Sequence, residues 1–152
     1  MKKLIFTSFL LFISTLSFAE VAKLKYSTDF LLEKVLEKKN LKKRSDIPLP
    51  VFFYASNTSL VQFQDAIEKQ WGFRPDMITN AFAAINNEIY ILDEAEYYKK
   101  SGRCMDDSVV HELVHYVQVK YLNWDLNDES LEWDAIDIQS AFRDEFCPVS
   151  KR

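Results

Sequence analysis

The chain has 152 residues, with 19 Lys and Arg against 23 Asp and Glu and a formal charge of −4. That length suits one domain with one hydrophobic core. A mildly acidic balance without a basic cluster argues against nucleic acid as a partner.

The N-terminus reads Met1-Lys2-Lys3, then an apolar run from Leu4 to Phe18, then Ala19-Glu20. Positive charge, a short apolar core and small residues at Ser17 and Ala19 predict a secretory signal over residues 1–19, cleaved after Ala19. The run is too short and too rich in hydroxyls for a membrane span, which needs roughly 20 apolar residues. No stable membrane insertion is expected, and without a cysteine at the cleavage point no lipid anchor either. Residues 20–152 would form one exported domain, periplasmic or secreted. Losing Lys2 and Lys3 takes its charge from −4 to −6.

Tyr26 to Asn40 carries Phe30, Leu31, Val35 and Leu36 at helical spacing and predicts an amphipathic helix. The basic run Lys38 to Arg44 reads as its solvated end, broken by Ile47-Pro48-Leu49-Pro50. Val51-Phe52-Phe53-Tyr54 is rich in β-formers and predicts a strand. Thr58 or Ser59 then caps a helix through Phe63, Ala66, Ile67 and Trp71, ending near Gly72 and Pro75. Ala81–Ile85 and Glu88–Leu92, joined by Asn86-Asn87, predict a β-hairpin. A strand edge of this kind can bind an extended peptide by strand addition.

The chain's only two histidines lie in His111-Glu112-Leu113-Val114-His115, an H-E-x-x-H motif. A spacing of four puts both imidazoles on one helix face, where both can reach one metal ion. Glu112, beside them, can take a proton from a metal-activated water. Val109, Val110, Leu113, Val114 and Val117 predict a helix buried on one side, with Asp106, Asp107 and Ser108 as capping chemistry. Downstream, Asn127-Asp128-Glu129 opens a second helix through Leu131, Ala135, Ile138 and Phe142. Its carboxylates Glu129, Glu132 and Asp134 are rivals for the third ligand position. Helix facing favours Glu132 over a frayed Glu129 and an opposed Asp134.

H-E-x-x-H followed by E-x-x-A resembles the gluzincin group of zinc metallopeptidases. The likeness covers roughly residues 105 to 142. It implies His111, His115 and Glu132 as zinc ligands, Glu112 as general base, and Ala135 as the small residue that lets the two helices approach. Where E-x-x-x-D members carry aspartate, this chain has Ile136, so that role is vacant or passes to Asp134 or Asp137. Size and motif order also resemble small secreted bacterial zincin-like domains.

Cys104 precedes the first ligand helix and Cys147 follows the second. An even count in an exported chain predicts one disulfide. The expected fold is α+β and zincin-like: a small antiparallel or mixed sheet packed by helices, with the metal between the last two. The expected function is zinc-dependent hydrolysis of a peptide or protein substrate. The electrophile assisting zinc would be Tyr90, Tyr116 or Tyr121, or zinc would act alone. The alternatives are a metal-stabilised binding module of the cell envelope, with weak or no hydrolysis, and a small-substrate amidase. Oligomeric state has no signature in the sequence.

Overall fold

The computed structural model describes residues 20–126 and 128–147. The expected signal over residues 1–19 lies outside the described residues. No described helix is long and apolar enough to cross a membrane.

Helix α1 (Thr28–Lys38) starts at Ser27, whose hydroxyl accepts the Phe30 N–H at 3.3 Å. It buries Leu31, Leu32, Val35 and Leu36. Strand β1 is Val51–Tyr54. Helix α2 (Leu60–Trp71) is capped by Ser59, which accepts from the Gln62 N–H at 3.1 Å. It stops at Gly72, whose φ of 76° suits glycine. Strands β2 (Ala81–Ala83) and β3 (Glu88–Ile91) form the antiparallel hairpin. Its turn holds Asn87 at φ 57°, a conformation asparagine tolerates. The Asn87 amide donates to the Pro48 and Leu49 carbonyls, both at 3.1 Å. β1 pairs parallel with β3, so the mixed sheet runs β1-β3-β2. The crossover that a parallel pair requires contains α2.

Three helices follow: α3 (Ala95–Ser101), α4 (Met105–Lys120) and α5 (Ser130–Phe146). The sequence gives no sign of α3, because its seven residues bury only Tyr98 and make no apolar stripe.

Alternation along the strands separates two packed layers. Ala81, Ala83 and Tyr90 meet Phe63, Ala66 and Ile67 of α2. Phe82, Ile89 and Ile91 share the larger core with α1, α4 and α5. α4 contacts β2, β3, α1 and α5. It is therefore buried around its circumference, not on one side as its spacing suggested.

Its N-terminus is capped in part as expected, because Asp107 takes part, but the N-cap residue itself lies earlier. The N-cap is Cys104, whose Sγ accepts the Asp107 N–H at 3.3 Å while the Asp107 carboxylate faces the Cys104 N–H at 3.4 Å. Asp106 instead accepts from the N–H groups of Lys25 and Tyr26, at 2.9–3.1 Å, and ties the first described segment to the core.

Cys104 and Cys147 are disulfide-bonded, with Cα atoms 6.0 Å apart, and join the start of α4 to the end of α5. This pairing suits an oxidising compartment. Non-reducing mass spectrometry of exported protein should find this one intramolecular bond. Its reduction should lower unfolding free energy by about 2–4 kcal/mol in denaturant titrations. Two free thiols in unreduced protein would contradict it.

Candidate metal centre

One helical turn on α4 carries His111 and His115 onto the side facing α5. Ala135 on α5 is fully buried, and its methyl leaves room for the two helices to approach. Glu132, three residues earlier in the first turn of α5, thereby reaches the histidines. The Nε2 atoms of His111 and His115 lie 3.1 Å apart. Glu132 places one oxygen 3.4 Å from His111 Nε2 and the other 3.1 Å from His115 Nε2. Tetrahedral zinc with bonds of about 2.0–2.1 Å has ligand–ligand edges of about 3.3–3.4 Å. The two nitrogens are spaced close to one such edge, each has a Glu132 oxygen at a similar distance, and one donor atom from each residue falls within 4.8 Å of the others, so the donor set fits zinc.

Hydrogen bonding fixes the tautomer of His115. The Gln118 side-chain amide donates to the Leu131 carbonyl at 3.0 Å and to Asp134 Oδ2 at 2.7 Å. Neither partner can donate in return, so Gln118 Oε1 is left to face His115 Nδ1, 2.9 Å away. His115 must then carry a proton on Nδ1, and its neutral ring presents a bare lone pair at Nε2. Lys39, just after α1, donates to the same Asp134 oxygen and lies over the Trp124 ring. The line Lys39–Asp134–Gln118–His115 thus crosses three helices.

His111 is held differently. Its Nδ1 is buried without a hydrogen bond of ordinary geometry, and Gln139 is the polar side chain beside the ring. Burial lowers its pKa, His115 adds to this, and Glu132 opposes it. The imidazole is therefore held neutral, the form that binds metal.

Glu112 is 5% exposed. Burial pushes its carboxyl up to about 8, and the nearby Glu132 carboxylate pushes the same way. The Phe82 backbone amide on β2 acts against them. A cleft of about 410 Å³ opens over the three donor atoms, with Gln70, Asn80, Phe82, Leu126 and Glu129 among its lining. A second recess of about 260 Å³, reaching Arg103, shares Asn80, His111 and Glu112 with it.

The structure thus brings together His111, Glu112, His115 and Glu132. Glu129 lines the cleft but stays outside the donor cluster. Asp134 sits behind His115 and reaches it through Gln118, while Asp137 is exposed. None of the three tyrosines lines the cleft. The Tyr90 hydroxyl donates to Glu88, the Tyr116 hydroxyl donates to the Pro48 carbonyl, and the Tyr121 hydroxyl faces the Arg44 N–H. Sequence reasoning missed Asn80, Gln118 and Gln139. Gln118 had one local signal, its position three residues after His115 on the same helix face.

Replacing Gln118 with leucine should keep the fold and weaken zinc affinity about 10- to 100-fold, read by competition with a chelating dye. Affinity equal to wild type would remove Gln118 from any part in holding His115.

Glu112 gives a pH test on metal-free protein. Its carboxyl is raised from 4.5 to about 8, so folding takes up a proton between those values. The folded state then holds more protons than the unfolded one, and stability falls as pH rises through this window. Urea titrations should show Glu112→Gln removing a loss on the order of a few kcal/mol between about pH 5 and about pH 9. An equally steep fall in the variant would place the effect elsewhere.

No protein-family model, curated protein or solved structure matches the chain.

Proposed function

We propose that the chain is an exported, zincin-like zinc hydrolase that cleaves peptide bonds. The observation that carries this reading is Glu112: a buried carboxyl, beside a three-donor cluster, on the wall of an open cleft. Among the described residues no Lys or Arg pairs with it. Burying such a group without a cationic partner costs stability, and structure alone does not account for it.

His111, His115 and Glu132 would hold the ion. Zinc bound there supplies Lewis-acid chemistry, polarising a carbonyl and lowering the pKa of water toward neutrality. Glu112 accepts a proton from the attacking water and returns it to the departing nitrogen. Gln118 keeps His115 in the tautomer that leaves Nε2 free. Asn80 contributes a neutral donor: its Oδ1 accepts from the Leu92 N–H at 2.8 Å, leaving its amide nitrogen to donate. It would take the part for which the sequence offered Tyr90, Tyr116, Tyr121 or zinc alone. The edge strand β2 offers backbone groups to an extended substrate. The disulfide agrees with export to an oxidising compartment.

A metal-stabilised binding module would leave the buried Glu112 unexplained. A purely structural zinc site also closes its fourth position, usually with Cys or His. Among the described residues the cluster holds His111, His115 and Glu132 only.

The two acidic residues should fail in different ways. Glu112→Gln should retain about one zinc per chain while peptide hydrolysis falls roughly 100- to 10,000-fold. Glu132→Ala should lose zinc after dialysis, as should His111→Ala and His115→Ala. Metal analysis paired with cleavage of an unbiased peptide library reads both effects. Undiminished cleavage by Glu112→Gln would rule out the mechanism. Full zinc in Glu132→Ala would move the third ligand elsewhere.

A further inference from the structure

The outer edge of β2 is only partly open. Phe82 turns its N–H and its carbonyl to the same side, away from β3. The N–H faces Glu112, and the carbonyl accepts from the Gln70 side-chain amide at 2.9 Å. The same carboxamide accepts, through Oε1, from the Ala84 N–H at 2.9 Å. The Ala84 carbonyl is taken in turn by Lys120 Nζ at 3.0 Å. Gln70 comes from α2 and Lys120 from the end of α4, so two helices converge on one stretch of strand edge.

The chemistry of this contact is that of an added strand. A carboxamide presents one N–H donor and one carbonyl acceptor in a plane, as a peptide group does. Gln70 fills the pair of outward backbone groups that a residue of an incoming peptide would satisfy. Asn80, at the other end, lines both cavities beside His111 and Glu112.

We infer that Gln70, backed by Lys120, is a specificity-determining stop on the β2 edge, limiting substrates to peptides paired on the Asn80 side and ending at Phe82. The inference rests on the peptidase reading and narrows its substrate class to short peptides or chain ends. A peptide paired on the Asn80 side meets the carboxamide at the Phe82 carbonyl itself. An internal segment of a long chain would have to displace Gln70 and give up both of its hydrogen bonds. General protection of the strand edge is the competing role of such a cap. It predicts aggregation on removal and no change in which bonds are cut.

The test uses the zinc-loaded exported chain, Gln70→Ala, and Gln70→Met, which keeps side-chain length without the hydrogen bonds. Amide exchange at Ala84 should accelerate in both variants. Unchanged protection would overturn the contact itself. Wild type should cut an unbiased peptide library near chain ends, and both variants should shift about tenfold toward internal bonds, the worth of two modest hydrogen bonds. Internal cleavage by wild type, or an unchanged distribution in the variants, would overturn the stop and leave the peptidase reading standing. If no form cleaves, retention of library peptides by Glu112→Gln, with and without Gln70→Ala, decides. Longer peptides retained only after Gln70→Ala would uphold the stop and reject the peptidase. Equal retention, or none, would overturn both.

Discussion

Helix α4 is buried along its length yet carries Asp106, Asp107, Glu112, His115 and Gln118 in its interior positions. Each buried polar group needs a partner or costs stability. Almost all the partners come from elsewhere in the chain. Asp106 takes backbone N–H groups of the segment before α1, and Asp107 takes the Arg103 guanidinium and the Gln139 amide. Gln118 takes Asp134 and the Leu131 carbonyl on α5. These bonds set the positions of α1 and α5 around α4 as firmly as the apolar contacts do. The apolar surface supplies most of the driving force, but it is non-directional. The polar bonds fix register, and register is what a metal site requires.

Glu112 has a different balance on this helix. Its charged form is disfavoured by burial and by Glu132, and only the Phe82 amide opposes them. A cation between the three donors would reverse that balance, because its charge exceeds any other nearby. Three donor groups whose nearest atoms fall within 4.8 Å of one another, two of them imidazoles, have the same requirement. Metal binding and ionisation of Glu112 are therefore linked: each favours the other. The disulfide closes the opposite end of the α4–α5 pair and limits how far the helices can separate.

The sheet has a narrower part. Three short strands make a platform whose β2 edge faces the cleft. Exposed edges invite unwanted pairing, and proteins usually cover them. Here the cover is partial: Gln70 and Lys120 occupy Phe82 and Ala84, while Asn80 borders both cavities.

Much of this was legible in the sequence where the signal was local. The spacing of His111 and His115 placed both imidazoles on one helix face, Ser59 and Gly72 bounded α2, and Asn86-Asn87 marked the hairpin. Each depends on residues a few positions apart, where helix and turn geometry leave little choice. Helix α3 was too short to show a period. The parallel pairing of β1 with β3 joins segments with no local relation. Cys104 became a helix cap, a part cysteine seldom takes. The tyrosines offered on sequence as electrophiles went to Glu88, Pro48 and Arg44. By itself the sequence determined the two imidazoles, the Glu112 carboxyl beside them and the helices that carry them, and it left the third carboxylate open among Glu129, Glu132 and Asp134. Only the tertiary structure decided which amide fixes His115, which carboxylate stands behind it, and where the strand edge is closed. Lys39 and Asp134 lie 95 residues apart, and Lys120 and Ala84 lie 36 apart. Side chains that meet across such distances are brought together by packing, and packing leaves no period in the sequence to read.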